Sequence, residues 1–497
     1  MERIGHYIGG KHVLGSSGRR GPVFDPATGE QTHEVDFADV SEVATAVEAA
    51  REAFPAWRAT SLSRRAEIMF TIRELIEARK PELAKVLTLQ HGKVLSDAMG
   101  EIQRGLENVE YATGIPHLLQ GEFSEQVSTG IDVYSIRQPL GVVAGITPFN
   151  FPAMVPIWMC ANAMACGNTF VLKPSEKDPG ASLALAELFK DAGLPDGVFN
   201  IVQGDKVAVD AILEHPDIRA VSFVGSTPIA RYIYTTGTAN GKRVQALGGA
   251  KNHMIVLPDA DVDMVADAAV SAGYGSAGER CMAISVVTSV GTISDTVVEA
   301  IADRLPKIKV GPGLDPESEM GPLITREHRD KVASYLDSGP AQGATVVTDG
   351  REHPLYKESN GFFLAPSLMD HVGPEMDAYK DEIFGPVLSV TRAETYDQAV
   401  DLVNRNPYGN GVALFTRDGG AARQFIFEAE VGMVGINVPI PVPVAYYSFG
   451  GWKSSLFGDN HMYGPEGIRF YTRGKVVTQR WPDPATSRVD LGFPRTR

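Results

Sequence analysis

Cysteine is scarce in this chain: Cys160, Cys166 and Cys281 are the only three among 497 residues. Three thiols cannot build a disulfide framework and suit a reducing compartment. None stands at zinc-ligand spacing with histidines nearby, so no metal site is expected. Positive charge is also short, with 46 Lys and Arg against 61 Asp and Glu and a net charge of -15. A basic nucleic-acid surface is therefore not expected. Long apolar runs are missing too. The best candidate, "MVPIWMCANAMACG", is too short to span a bilayer and is bounded by Pro and Gly. The opening "MERIGHYIGGKHV" has neither the basic start nor the apolar core of a signal peptide. The expectation is a cytoplasmic protein with no membrane partner. No G-x-G-x-x-G follows the first strand of the α/β pattern, so the usual dinucleotide fingerprint is absent.

What is present is apolar area and alternation. Hydrophobic residues make up 43% and charged residues 22%, enough for packed cores in two or three domains. After two short strand-and-turn stretches, "SEVATAVEAAREAFPAW" predicts a helix with Ser41 as candidate N-cap, and helical spacing continues through "LSDAMGEIQRGLENVEYATGIP". From Leu140, strands and helices alternate: "LGVVAGITPFNFP", an apolar helix, "TFVLKPSE", a helix, "VFNIVQG", a helix, "RAVSFVGS", a helix, and "KRVQALGG". Near-continuous apolar strands in such alternation predict a doubly wound parallel sheet, with ligands at the carboxyl ends of its strands. A second α/β region runs from "NHMIVL" to "GMVGIN". "GIDVYSIRQP" and "GIRFYTRGKVVTQRWP" read as strands outside both, suggesting a small oligomerisation flap.

Taken singly, the candidate functional residues are ambiguous. Cys281, in "SAGERCMAIS", is either a nucleophile or a small buried residue near a helix end. Gly225 and Ser226 of "FVGSTPIARYI" offer a helix N-terminus to a diphosphate, or are ordinary capping. Lys173 and Glu176 of "VLKPSE" stand where a ribose can lie, or form a surface pair. Asn150 of "TPFNFP" can donate to an oxyanion, or is a turn asparagine.

Together, "PFNFP", "VLKPSE", "FVGS", "LGGAKN", "GERC" and "EIFGPV" occur in an order and at separations that resemble the aldehyde dehydrogenase superfamily over nearly the whole chain. The resemblance implies an NAD-binding domain (1–120 and 140–249), a catalytic domain (250–450) and an oligomerisation flap (121–139 and 465–497). It implies Cys281 as nucleophile, with Asn150 and the Cys281 N–H as the oxyanion hole. Lys173 and Glu176 would hold the adenosine ribose, with the Glu176 carboxylate favouring NAD over its 2′-phosphorylated form. Gly225 and Ser226 would meet the diphosphate, Glu382 and Phe384 the nicotinamide ribose and ring, and Phe149 would also bind the cofactor. Cys160 and Cys166 match nothing in the family pattern and read as core.

One departure narrows the branch. Family members that release free acids carry a glutamate base in the stretch matching "QALGGAKN", where Ala246 stands here with Ala250 added before Lys251. Without that base, water attacks a thioester slowly, whereas a thiol such as coenzyme A needs less help. "GERCMA", "GAKNHMIVLPDAD" and "NVPIPVPVAYYSFGGWKSSLFGD" are similar to the CoA-acylating branch, which oxidises methylmalonate and malonate semialdehydes. There the resemblance gives the substrate carboxylate to two arginines, matching Arg104 and Arg280. Glu279, beside Arg280, is a poor replacement base, because neighbouring side chains diverge. A homo-oligomer, a dimer of dimers, is the implied assembly. The alternative is a hydrolytic aldehyde dehydrogenase with another base.

Overall fold

The computed structural model describes residues 2–485 and 489. Part of the expected flap segment, 486–488 and 490–497, lies outside the described residues. Five parallel strands build the first sheet, in the spatial order Arg243–Leu247, Ile218–Val224, Val142–Ile146, Thr169–Lys173, Phe199–Ile201. Antiparallel strands close its edges: Leu456–Phe457 on one side, His6–Ile8 and then Lys11–Val13 on the other. The chain winds outward from Val142–Ile146 in one direction, then returns to its other side with Ile218–Val224. Those two strands flank the topological switch point, where the loops part and leave a crevice.

The second sheet has seven strands in the order Thr345–Thr348, Ser367–Asp370, Val387–Ala393, Ile284–Val290, Asn252–Val256, Gly411–Phe415, Met433–Ile436. All pairings but the first are parallel. The two segments set apart as flap strands find each other. Thr472–Arg480 pairs antiparallel with all of Ile131–Pro139, and Phe123–Ser128 adds a third strand. No helix among the described residues is long and apolar enough to cross a membrane.

Local chemistry corrects two expectations. The cap of the helix Val40–Ala59 is Asp39, not Ser41. Asp39 accepts from the Ser41 and Glu42 N–H groups while Glu42 reaches back to the Asp39 N–H, a reciprocal capping box that a serine inside the first turn cannot supply. "GIRFY" is not strand. Gly464–Phe470 is a short helix, with Pro465 in its first turn, and the strand begins only at Thr472.

The helix Met154–Ala165 is buried at all twelve positions, Cys160 among them. Cys166 caps it and is buried as well, and desolvation pushes both thiols up. At its entrance sits an ion pair with both side chains fully out of solvent. Lys93 Nζ lies 2.7 Å from Glu101 Oε2 and donates to the Asn150 carbonyl at 2.7 Å. The second carboxylate oxygen accepts the N–H groups of Ala153 and Met154, so one glutamate also satisfies the start of the apolar helix. The ammonium lies 4.5 Å from the centre of the Phe151 ring. Lys93→Met strands a buried carboxylate and is expected to cost about 3–5 kcal/mol of unfolding free energy. Lys93→Met with Glu101→Gln should recover part of that loss, and denaturant melts of both variants check it.

Candidate active site

A cleft of about 760 Å³ opens at the switch point and reaches across to the second sheet. Phe149, Asn150, Lys173, Glu176, Gly225, Ser226, Cys281, Glu382 and Phe384 all line it. Nine residues singled out from separate motifs thus share one cavity.

At the far end Lys173 Nζ lies 3.0 Å from Glu176 Oε2. Burial would raise the Glu176 carboxyl, but Lys173 and nearby hydrogen bonds overcome it and hold the group low. Gly225 is demanded by packing: a Cβ there would sit 2.5 Å from the Phe223 ring. Its N–H donates to the Leu247 carbonyl at 3.1 Å. Ser226 then opens the helix Thr227–Ala239 without capping it through its side chain, so the first-turn N–H groups are offered to the cleft.

At the near end, Glu382 accepts the Ala250 N–H at 2.8 Å. Burial pushes its carboxyl up to about 7, opposed by that hydrogen bond and by Lys251. Gly249 makes room for it, since a Cβ there would fall 2.3 Å from Glu382 Oε2. Phe149 meets Phe384 edge-on at 5.9 Å, and Lys177 Nζ lies 4.8 Å from the Phe149 ring centre. Phe384 holds a left-handed φ of 58° and its carbonyl is 2.7 Å from His328 Nε2.

Cys281 follows a strained run. Ser276, Ala277 and Gly278 are all left-handed, with φ of 53°, 52° and 74°. Gly278 packs so closely that a Cβ would lie 2.3 Å from the Gly385 carbonyl oxygen. The Cys281 carbonyl is then gripped by two side-chain amides, Asn252 at 2.9 Å and Asn410 at 3.1 Å. Sequence reasoning missed both asparagines. Asn252 stood in the quoted "GAKN", but nothing local ties Asn410 to a residue 129 positions away. Desolvation, then the Glu382 carboxylate, pushes the Cys281 thiol up to about 12, while Arg280 pulls it down.

The two arginines do not line the large cleft. Arg280 lines a small adjoining pocket with Cys281 and donates to Asp97 at 2.5 Å. Arg104 is half-buried; it pairs with Glu107 at 2.7 Å and donates to the Val442 and Pro443 carbonyls. Glu279 is fully buried and turned away, accepting the Ile324 N–H at 3.2 Å with His91 and His328 close by. It lines neither cavity that contains Cys281.

The strand Arg243–Leu247 carries no carboxylate at its end. Strand alternation refines which residue matters there. Ala246 packs into the apolar layer of Ala230 and Ile233, whereas Leu247 turns to the opposite layer, against which Cys281 packs. Position 247, not 246, therefore faces the Cys281 side of the sheet. No cluster of His, Cys, Asp and Glu among the described residues could hold a metal ion.

Comparison with known proteins agrees with this geometry. The family model "Aldehyde dehydrogenase family" matches residues 12–477. The malonate-semialdehyde dehydrogenase of Pseudomonas aeruginosa is 55% identical over 496 residues, covering 99% of this chain and 100% of its own. A Sinorhizobium meliloti 1021 structure described as a methylmalonate-semialdehyde dehydrogenase complexed with NAD superposes with a TM-score of 0.97 at 54% identity, covering 98% of this chain and 99% of the other. The methylmalonate-semialdehyde dehydrogenase of Oceanimonas doudoroffii gives 0.96 at 55%, with the same coverage. The chain belongs to the aldehyde dehydrogenase family.

Proposed function

We propose that the protein oxidises methylmalonate semialdehyde and malonate semialdehyde with NAD and transfers the acyl group to coenzyme A, with loss of the carboxylate, giving propionyl-CoA and acetyl-CoA. The observation that carries the acyl transfer is the pairing of a cleft-lining thiol, Cys281, with an apolar strand end at 246–247. The names of the relatives at 54–55% identity support the substrate class. On this reading the eight-stranded sheet belongs to a cofactor domain (1–120 and 140–249) and the seven-stranded sheet to a catalytic domain (250–450). The paired strands of 121–139 and 465–497 then form the assembly flap of a tetramer in the cytoplasm.

The cleft fits NAD. Its far end offers the Glu176 carboxylate to ribose hydroxyls, its middle the helix start at Ser226, and its near end Glu382 between Phe149 and Phe384. Bound there, NAD supplies the hydride acceptor. The chain's own residues do the rest. Cys281 Sγ gives up its proton to solvent and attacks the aldehyde carbon, forming a C–S bond as the C=O π pair moves onto oxygen. Asn150 Nδ2 and the Cys281 N–H hold the oxygen as it becomes anionic. Arg280 and Arg104 hold the far carboxylate, fixing the carbon against the sulfur. After the hydride departs, Cys281 carries a thioester. The coenzyme A thiolate attacks its carbonyl and Cys281 leaves as thiolate. The C–C bond to the carboxylate breaks and carbon dioxide leaves, to be hydrated to bicarbonate; the electron pair stays on the α-carbon as a thioester enolate, which takes a proton from water.

The deciding assay is NADH formation from malonate semialdehyde with and without coenzyme A, with the acyl product identified. A requirement for coenzyme A and an acetyl-CoA product are expected. Equal rates without it and a free acid would overturn acyl transfer in favour of hydrolysis. Cys281→Ser should lower turnover by at least about 10³-fold, since the hydroxyl is far less ionised. Leu247→Glu should raise coenzyme A-independent hydrolysis by on the order of 10²-fold, whereas Ala246→Glu, on the other face, should not; product analysis separates the two. Burial pushes the Glu382 carboxyl up to about 7. Its carboxylate accepts from a ribose hydroxyl better than its acid does. KM for NAD should therefore rise as pH falls through about 7, and Glu382→Gln, which cannot ionise, should flatten that profile.

A further inference from the structure

The segment 437–447, which leaves the edge strand Met433–Ile436, carries prolines at 439, 441 and 443 and crosses over the helix Leu95–Thr113. Its contact with that helix is through Arg104. Nη2 donates to the Val442 carbonyl at 3.2 Å and the Pro443 carbonyl at 3.1 Å, while Nη1 pairs with Glu107 at 2.7 Å. Three of the guanidinium's five N–H groups are thus assigned, and their geometry sets where the other two point.

The Pro443 carbonyl has a second donor. Tyr463 Oη reaches it at 2.9 Å. A carbonyl has two lone pairs and can take both. The phenol comes from a different part of the chain and is rigidly held. Tyr463 is 2% exposed. Its ring meets Trp158 edge-on at 4.9 Å and stacks near Phe449 at 6.2 Å. Its backbone sits at φ 46°, ψ -166°, a region that costs a non-glycine residue free energy, and its carbonyl is fastened by Ser448 Oγ at 3.0 Å. The phenol is close enough to both Arg104 and Cys281 to feel each electrostatically. A strained, fully packed tyrosine whose one polar atom ends on the carbonyl that orients Arg104 has a function beyond filling space.

We infer that Tyr463 is a positioning residue for Arg104: through the Pro443 carbonyl it fixes the guanidinium that receives the substrate's carboxylate. This rests on the reading of Arg104 given above. The hydroxyl makes no bond to substrate, so its loss should cost carboxylate recognition and leave the aldehyde chemistry alone.

Tyr463→Phe keeps the ring and removes only the hydroxyl. Steady-state kinetics would compare malonate semialdehyde with propanal, a neutral aldehyde of equal chain length, at saturating NAD and coenzyme A. The expected result is a KM for malonate semialdehyde raised about tenfold, the equivalent of one hydrogen bond. Its kcat should stay within about twofold, as should kcat/KM for propanal. Arg104→Ala should discriminate between the aldehydes more strongly, and adding Tyr463→Phe to it should change little further, because the two act through one contact. Equal losses on both aldehydes, unchanged kinetics, or losses that add in the double variant would each overturn the inference. Failure of Arg104→Ala itself to discriminate would overturn the reading of Arg104, and the inference with it. A melting temperature matching the parent chain excludes general loosening as the source of a KM effect.

Discussion

The Lys93–Glu101 pair is the constraint on which the site depends. Two fully buried charges are costly unless every lone pair and proton is used. Here each charge does two jobs. The lysine neutralises the glutamate and holds the Asn150 carbonyl; the glutamate neutralises the lysine and satisfies two N–H groups of the buried helix. The loop from Thr147 to Pro152 is thereby fixed from behind, and with it Phe149, Asn150 and Phe151. The same helix, Leu95–Thr113, carries Asp97, which orients Arg280, and Arg104, which grips the strap at 442–443. One buried ionic knot, through the helix that carries it, thus links Asn150 to both Arg280 and Arg104. A loose surface pair could not do this, because it would leave each member free to seek water.

The second feature is rigidity at Cys281 obtained through the backbone. Three consecutive left-handed residues precede it and two asparagine amides close on its carbonyl. The strain is local and the amides that hold it come from the strands Asn252–Val256 and Gly411–Phe415 or their approaches. Cys281 is therefore set by the second sheet, while 147–150 and 225–226 are set by the first. The cleft that Cys281 lines lies where residues carried by the two sheets meet.

Much of this was legible in the chain because it is periodic or local. The apolar strands and the helices between them announced the doubly wound sheet, and the two isolated amphipathic strands found each other as a nine-residue antiparallel pair. Nine candidate residues met in one cleft. The failures share a cause: they depend on long-range or face-specific geometry. Ser41 lost the cap to Asp39 because a capping box needs both partners in place. Position 246 gave way to 247 because a one-residue step on a strand changes the face, which a motif comparison does not weigh. The strap that covers Arg104 lies more than 330 positions further along, so its contact with that arginine left no local sign. Asn410 and Tyr463 carried no signal for the same reason.

The apolar surroundings of Cys281 explain why a thiol, rather than water, suits the release step on the proposed reading. Trp158, Phe449, Met282 and Leu247 are buried in the layer against which Cys281 packs, and their desolvation keeps its thiol high. No carboxylate stands at the end of the strand Arg243–Leu247 to serve as a base. Glu279, two residues away, is pushed up to about 8 by burial and is spent on the Ile324 N–H. Water, with a pKa near ~16, must be deprotonated by such a base as it attacks. A thiol with a pKa of about 8.5 arrives partly ionised and needs none. On that reading a site that lacks a general base selects the nucleophile that can do without one, and the apolar end of the strand Arg243–Leu247 is where that selection is made.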